Sequence, residues 1–383
     1  MSEPPTIVVA HASVGSGHRI AAESIAEQLR SLSPETRVEV LDVLAYGSMR
    51  ISGDTATGAF TGPTAPLYDA VWGSTALGRS SMALSGPALS LIYHRFLARL
   101  AELDPVVIVA THALAANLAA RVTGAGDRTP TTPVVAVATD FGLHGFWPHR
   151  GLSLFCVADE AEREELARRG THVARVEVTG IPVRTQFETP PDLRAARVRL
   201  GLPAEDRVVL ALAGATQPGP YARLKESLAL SLPAIASLPD TTVAIITGRD
   251  DRFATELRQR VAGFGATNVH VLGHVGEMAR AMAAADVAVC KPGGLVTAEC
   301  IASALPMLLI GPAAGQERAN AQALTRAGAA IYEGDPRRLS AVVRKTLARQ
   351  GALRRLREAA VALRRPGAAE AVARHVLELT GRV

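Results

Sequence analysis

Twelve short runs rich in valine and isoleucine recur along the chain, with helix-length amphipathic segments between them. Strands this short and this continuously apolar are buried on both faces, which is the condition of parallel sheets covered by helices on either side. The first six fall at residues 6–11, 38–42, 106–111, 134–138, 154–158 and 173–178, and the second six at 207–213, 242–247, 269–272, 287–290, 307–310 and 329–332. Each set is sufficient for one doubly wound sheet. In such sheets ligands bind beyond the carboxyl ends of the strands, so the residues that follow each run are where chemistry is to be sought.

The expected class is therefore α/β, with two Rossmann-like doubly wound domains facing a cleft. Thr179-Gly180-Ile181-Pro182-Val183 leads into the polar, proline-bearing stretch Arg184–Pro191, which places a first domain over residues 1–183 and a second over 184–366. A length of 383 residues with 48% hydrophobic and 20% charged side chains is enough for two separate cores. No apolar stretch reaches the ~18 residues of a membrane span. Met1-Ser2-Glu3-Pro4-Pro5 lacks a basic leader region, so a cytoplasmic protein is expected. Cys156, Cys290 and Cys300 are an odd set among apolar neighbours and read as reduced core thiols. With no Cys-x-x-Cys and no clustered histidine pattern, neither a metal site nor a bound cofactor is expected.

The net charge of +5 hides an asymmetry. Residues 1–183 carry 14 arginines and no lysine against 18 acids, a balance of −4, whereas 184–383 carry 27 basic residues against 18 acids, a balance of +9. The last 47 residues, from Arg337, hold 12 basic residues and 3 acids. Spread along helix-like sequence, these read as a solvated helical face, with contact to anionic lipid as the other reading. Aromatic residues are only 4% of the chain, too few for base-stacking platforms, so no nucleic-acid partner is expected. Residues 43–104 break the strand–helix alternation with Tyr68, Trp72, Met82, Leu89, Leu91, Ile92, Tyr93 and Phe96. They read as helices with an apolar side, serving either a peripheral membrane or lipid-acceptor surface or an insertion packed on the sheet.

Cys290-Lys291-Pro292-Gly293-Gly294-Leu295-Val296-Thr297-Ala298-Glu299 joins a buried strand to a glycine turn and a helix start. Gly293 and Gly294 let backbone pass close to a ligand, the helix from Leu295 aims free N–H groups at an anion, and Glu299 lies one turn inside, placed to grip ribose hydroxyls. Three more loops end strands of the same half. Ala213-Gly214 through Gly219 can offer N–H groups to phosphates, Thr247-Gly248-Arg249 brings a cation, and Gly315-Gln316-Glu317-Arg318-Ala319-Asn320 sets polar groups on adjacent helical turns, suited to a ring of hydroxyls. Together they favour a nucleotide-sugar pocket.

In the first half, Gly15 and Gly17 precede His18 at a helix start, where the dipole keeps an imidazole neutral as a general base requires; capping of the turn is the other reading. The loop is not a dinucleotide fingerprint, because Ile20 stands where the third glycine belongs and Asp42 has no other support. Asp140 ends another strand, followed by Phe141, His144 and Trp147. It is placed to orient His18, to act as the base itself, or to cap a short helix.

The strings Gly17-His18-Arg19, Thr139-Asp140-Phe141, Thr179-Gly180-Ile181-Pro182-Val183-Arg184, Lys291-Pro292-Gly293-Gly294 with Glu299, and Gly315-Gln316-Glu317 with Asn320 occur in this order between about residues 6 and 333. In them the chain resembles bacterial diacylglycerol glucosyltransferases and plant monogalactosyldiacylglycerol synthases, and more distantly the N-acetylglucosaminyltransferase that forms lipid II. The resemblance implies a GT-B fold and inverting, metal-independent transfer of a hexose from a UDP-sugar to an acceptor hydroxyl on diacylglycerol or a glycolipid. It implies work in the cytoplasm, at the inner face of the membrane where the acceptor is a lipid. It makes His18 the catalytic histidine, Glu299 the ribose ligand, Gly214 and the turn at Gly294-Leu295 the diphosphate site, Gln316 with Glu317 the hexose site, and Thr297 one of the donor-binding residues. Val275, within Gly273-His274-Val275-Gly276-Glu277-Met278, would meet uracil through its backbone. The first domain would bind the acceptor and the second the donor, and the final helix, about 367–383, would cross back onto the first. A denser glycine run in plant enzymes and a basic first domain in many lipid-active relatives are not found here. The alternatives are therefore a soluble or natural-product acceptor, or a UDP-sugar epimerase on the same fold.

Overall fold

In the protein, a computed structural model, residues 4–48, 74–122, 132–148, 150–214 and 218–381 are described. Tyr68 and Trp72, and the middle of the loop that follows Gly214, lie outside them. The chain divides into two compact units, Met1–Arg184 with Arg365–Val383, and Thr185–Arg364.

The first unit is built on β1 (Thr6–His11), β2 (Arg37–Asp42), β3 (Val107–Ala110), β4 (Val134–Val137), β5 (Leu154–Val157) and β6 (Val176–Val178). All are parallel, in the order β2-β1-β3-β4-β5-β6. Helices α1 (Gly17–Leu32), α2 (Thr75–Ile92), α3 (His94–Leu103), α4 (Ala113–Val122) and α5 (Glu160–Arg168) connect them. The central strands are apolar at every position because both faces are covered. Val8, Ala10, Ile108, Ala110, Val134 and Ala136 meet Phe96 and Leu100 of α3 and the alanines of α4. Ile7, Val9, Val107, Val109, Val135 and Val137 meet Ile25 and Leu29 of α1 and Val372 and Val376 of the last helix. The period of two along each strand thus serves two cores at once.

The second unit repeats the plan with β7 (Arg207–Leu212), β8 (Thr241–Ile246), β9 (Val269–Val271), β10 (Val287–Cys290), β11 (Met307–Ile310) and β12 (Ala330–Glu333), in the order β12-β11-β10-β7-β8-β9. Its helices are α6 (Leu193–Leu200), α7 (Pro218–Ala236), α8 (Asp251–Phe264), α9 (Met278–Ala283), α10 (Gly294–Ala302), α11 (Gly315–Arg326), α12 (Leu339–Ala348) and α13 (Ala352–Leu363). The chain then returns to the first unit with α14 (Ala368–Leu379), packed along α1. Gly180 makes that return possible. Its φ is +84, and a Cβ there would lie 2.6 Å from Cβ of Arg365, so the Thr179-Gly180-Ile181 string is in part a packing requirement.

Twelve parallel strands therefore stand where the hydrophobic runs place them, with one shortening. The sixth pairs only from Val176, and Val173 makes a single bridge to Leu152. Tyr93, Phe96, Leu100 and Leu103 are core residues, so this part of the apolar stretch 43–104 packs on the sheet; Leu77 and Leu91, 52% and 74% exposed, do not. No helix among the described residues is long and apolar enough to cross a membrane. In the basic tail, Leu339 and Val343 of α12 and Leu356 and Ala360 of α13 face inward, and Arg337 and Arg354 face solvent.

Candidate active site

Each sheet reverses direction once. In the first the reversal lies between β1 and β3, in the second between β7 and β10. The carboxyl ends of those strand pairs are the crevices where open α/β sheets bind ligands.

His18 stands at the first reversal. Its Nδ1 lies 2.9 Å from the carbonyl oxygen of Thr111, and the Thr139 hydroxyl lies 2.8 Å from the same nitrogen. A carbonyl oxygen can only accept, so Nδ1 carries the proton and Nε2 holds the free lone pair. The Thr111 hydroxyl also donates to the backbone oxygen of His18 at 2.9 Å, fastening the start of α1 to the end of β3. The ring therefore does not cap its own turn. Burial holds the imidazole below its ordinary pKa, with the Asp140 carboxylate and the Thr111 carbonyl pulling the other way. A neutral ring with one fixed tautomer can accept a proton through Nε2.

Three further histidines share this edge. His112 meets His18 edge to face, ring centroids 4.6 Å apart. Burial, then His18, His144 and His11, push His112 well below the usual histidine range. His144 is pushed down to about 3 by burial, His18 and Arg169. Its ring stacks on Trp147, which packs in turn on Phe155. Phe141 and Trp147 are both buried, 8% and 9% exposed. Asp140 is half-buried, and no helix follows it to cap. The Asp42 carboxylate accepts from the backbone N–H groups of Ser13 and Leu44, each at 3.1 Å. It braces the glycine loop, and Gly15, at φ +81, turns that loop toward His18.

The second reversal is shaped by backbone. A Cβ on Gly214 would lie 2.6 Å from the amide nitrogen of Gly248, and Gly248 itself has φ +59. The ends of β7 and β8 thus touch, and the Gly248 N–H reaches on to the carbonyl of Gly273 at 3.1 Å. Thr247 is wholly buried and its hydroxyl has no partner among the described residues; Arg249 is exposed beside it. α10 starts at Gly294 with no side-chain cap, so its first N–H groups are presented to an anion or to solvent. The Thr297 hydroxyl is directed to the carbonyls of Gly293 and Gly294 at 2.8 and 2.9 Å, and Asn320 donates to the carbonyl of Pro292 at 3.1 Å. Those two side chains hold the turn. Lys291 is ion-paired with Glu317, so the lone lysine of this turn has a definite role. Glu299, 4% exposed, sits one turn into α10. Gly293, Leu295, Gln316 and Glu317 are half-buried around the same strand ends, and His274 is exposed beside half-buried Val275 and Met278.

Sequence reasoning missed two features. His112 follows Thr111 at the end of a strand, the position that makes Asp140 conspicuous, but it had no glycine neighbours to mark it. Gln186, in the linker, accepts from the backbone N–H of Ala279 at 2.9 Å and so caps α9, whose first residue is Met278. Nothing in a pattern of residue types announces that contact. Among the described residues, no group of three or more His, Cys, Asp or Glu side chains is arranged to hold a metal ion.

Residues 18–183 match the family model for monogalactosyldiacylglycerol synthase, and residues 221–372 match that for the glycosyltransferase family 28 C-terminal domain. The two models between them match a stretch in each half of the chain. The chain is 27% identical over 246 residues to a processive diacylglycerol beta-glucosyltransferase of Bacillus licheniformis, covering 64% of this chain and 62% of that one. It is 30% identical over 229 residues to the enzyme of the same name from Bacillus subtilis, covering 59% and 57%. It thus spans about three fifths of these curated relatives. MurG of Acinetobacter baumannii has the same fold, with a TM-score of 0.58 at 17% identity over 98% of this chain and 100% of that one. The chain therefore has the GT-B fold, built of two Rossmann-like units.

Proposed function

We propose that the protein is an inverting glycosyltransferase that moves a hexose from a UDP-sugar to a hydroxyl of diacylglycerol or a glycolipid. The observation that carries this reading is the fixed state of His18. Its Nδ1 proton is held by Thr111, its ring is neutral, and Nε2 is open. A hydroxyl nucleophile must lose its proton as it attacks, and this nitrogen is placed at the strand reversal to accept it.

In this reading the oxygen attacks the anomeric carbon from the face opposite the diphosphate. The C–O bond to UDP breaks, the hydroxyl proton passes to Nε2, and the anomeric configuration inverts. The N–H groups at the start of α10, with Arg249, balance the departing charge. Glu299 holds the ribose, the main chain at Val275 meets the uracil, and Gln316 with Glu317 orients the hexose. The ion pair with Lys291 holds the Glu317 carboxylate in place. Asp140 raises the basicity of His18. It favours the imidazolium that forms as the proton arrives.

A lipid acceptor requires work at a bilayer surface, and exposed Leu77 and Leu91 support a peripheral contact near α2. The two relatives named for diacylglycerol glucosylation support the acceptor class. The test is UDP release screened over UDP-glucose, UDP-galactose and UDP-N-acetylglucosamine, each with dioleoylglycerol in micelles and with soluble alcohols. Release only with the lipid is expected. A sugar altered with no acceptor present and no UDP released would identify an epimerase instead, and release only with soluble alcohols would move the acceptor class.

A further inference from the structure

His112 is a polar ring at the first reversal to which the mechanism above gives no part. Its backbone and side chain both serve the start of α4: the carbonyl accepts from Ala116 N–H at 3.0 Å and Nδ1 accepts from Leu114 N–H at 3.1 Å. Because Nδ1 accepts, it bears no proton, so the neutral ring carries its hydrogen on Nε2. This is the mirror of His18, whose hydrogen is on Nδ1 and whose lone pair is on Nε2. The two rings meet edge to face with centroids 4.6 Å apart, and both are half-buried rather than sealed. Among the described residues the only hydrogen bond to the His112 ring is the one at Nδ1. One strand end therefore presents a bare acceptor nitrogen and its neighbour a bare donor nitrogen.

We propose that His112 is a second acceptor-binding residue of the site, donating from Nε2–H to an oxygen of the acceptor alcohol while His18 takes the proton of the hydroxyl that reacts. The proposal rests on the glycosyltransferase reading above. An alcohol with a second oxygen, hydroxyl or ester, on the neighbouring carbon is the substrate class such a pair recognises, because one oxygen faces a base and a neighbouring oxygen faces a donor. Monoacylglycerol, diacylglycerol and a glycosyl-lipid all meet that requirement; a simple long-chain alcohol has only the first oxygen.

His112→Asn separates binding from folding, since the Asn side-chain oxygen can still cap Leu114 N–H while the ring donor is lost. With UDP-glucose and dioleoylglycerol or glucosyl-dioleoylglycerol in micelles, His112→Asn is expected to raise the acceptor KM about tenfold. The donor KM and the melting temperature are expected to stay at wild-type values. Dodecanol as acceptor is expected to show no difference between wild type and variant. An unchanged acceptor KM in His112→Asn would overturn the proposal, as would equal increases in donor and acceptor KM. A wild-type protein that transfers to no alcohol would overturn the underlying function first, and is distinguished by its lack of UDP release before any variant is made.

Discussion

The carboxyl edge of the first sheet works with side chains, and that of the second works with backbone. At the first edge His18, His112 and His144 are crowded, buried enough to stay neutral, and fixed in tautomer by a carbonyl and by backbone N–H groups. At the second edge Gly214 and Gly248 make the shape, α10 offers uncapped N–H groups, and Thr297, Asn320 and Lys291 hold the turn and its neighbours. Proton transfer needs a group whose pKa is set by its surroundings, whereas binding a diphosphate needs close approach and many small dipoles. The division implies that removing a side chain damages the first edge, and that adding one damages the second.

The largest effect is expected from His18→Ala. Transfer should fall by about 10²–10⁴-fold, in line with losing a general base, while UDP-sugar affinity measured by calorimetry stays within a factor of two or so. Turnover near the wild-type rate would remove His18 from the chemistry. Gly214→Ala is the matching insertion on the other side. Its methyl group would lie 2.6 Å from the amide of Gly248, a backbone atom that cannot swing away, so a loss of about 1–3 kcal/mol in stability or donor binding is expected. Chemical denaturation together with UDP titration would detect it. An unaffected Gly214→Ala would mean the two strand ends do not meet as described.

The contrast also explains what the sequence makes legible. Both sheets can be read because valine and isoleucine runs such as Thr6–His11 and Thr241–Ile246 are buried on both faces and so leave an unbroken apolar record. The glycine turn at Gly293-Gly294 is visible for a similar reason, since an uncapped helix start after a strand is a local pattern. His112 and Gln186 are harder, because their importance comes from partners distant in sequence. The His112 ring meets one 94 positions earlier, and Gln186 caps a helix 93 positions later. Trp147 shows the opposite case: it stands in an aromatic loop after a strand, yet its ring packs on Phe155 within the core.

The histidine edge has a pH signature. An imidazole held below its ordinary value of 6.5 takes no proton in the folded state when the unfolded chain already does, so stability is full above about pH 6.5 and is lost as the pH falls. For His144, held near 3, the loss continues through that whole interval and amounts to about 2 kcal/mol by pH 5. Burial depresses His11, His18 and His112 in the same direction. The melting temperature is therefore expected to drop between about pH 7 and 5, and His144→Asn, which can still accept from Phe146 N–H, should shrink the drop. A melting temperature flat over that range would mean the rings are solvated.

The smallest effect tests whether bracing at the second edge extends to the linker. The Gln186 side-chain oxygen accepts from Ala279 N–H, and α9 has no cap from its own Glu277. Removing that acceptor leaves a half-buried helix start without its partner, at a cost of about 0.5–2 kcal/mol. Because α9 begins at Met278, three residues after Val275, the displacement should reach the loop assigned to the nucleobase. Gln186→Ala is then expected to raise the donor KM about two- to tenfold with kcat unchanged. Gln186→Glu, which keeps an oxygen in place, should recover most of it. A fall in kcat at constant KM would instead tie the linker to the catalytic step, and the bracing role of Gln186 would be wrong.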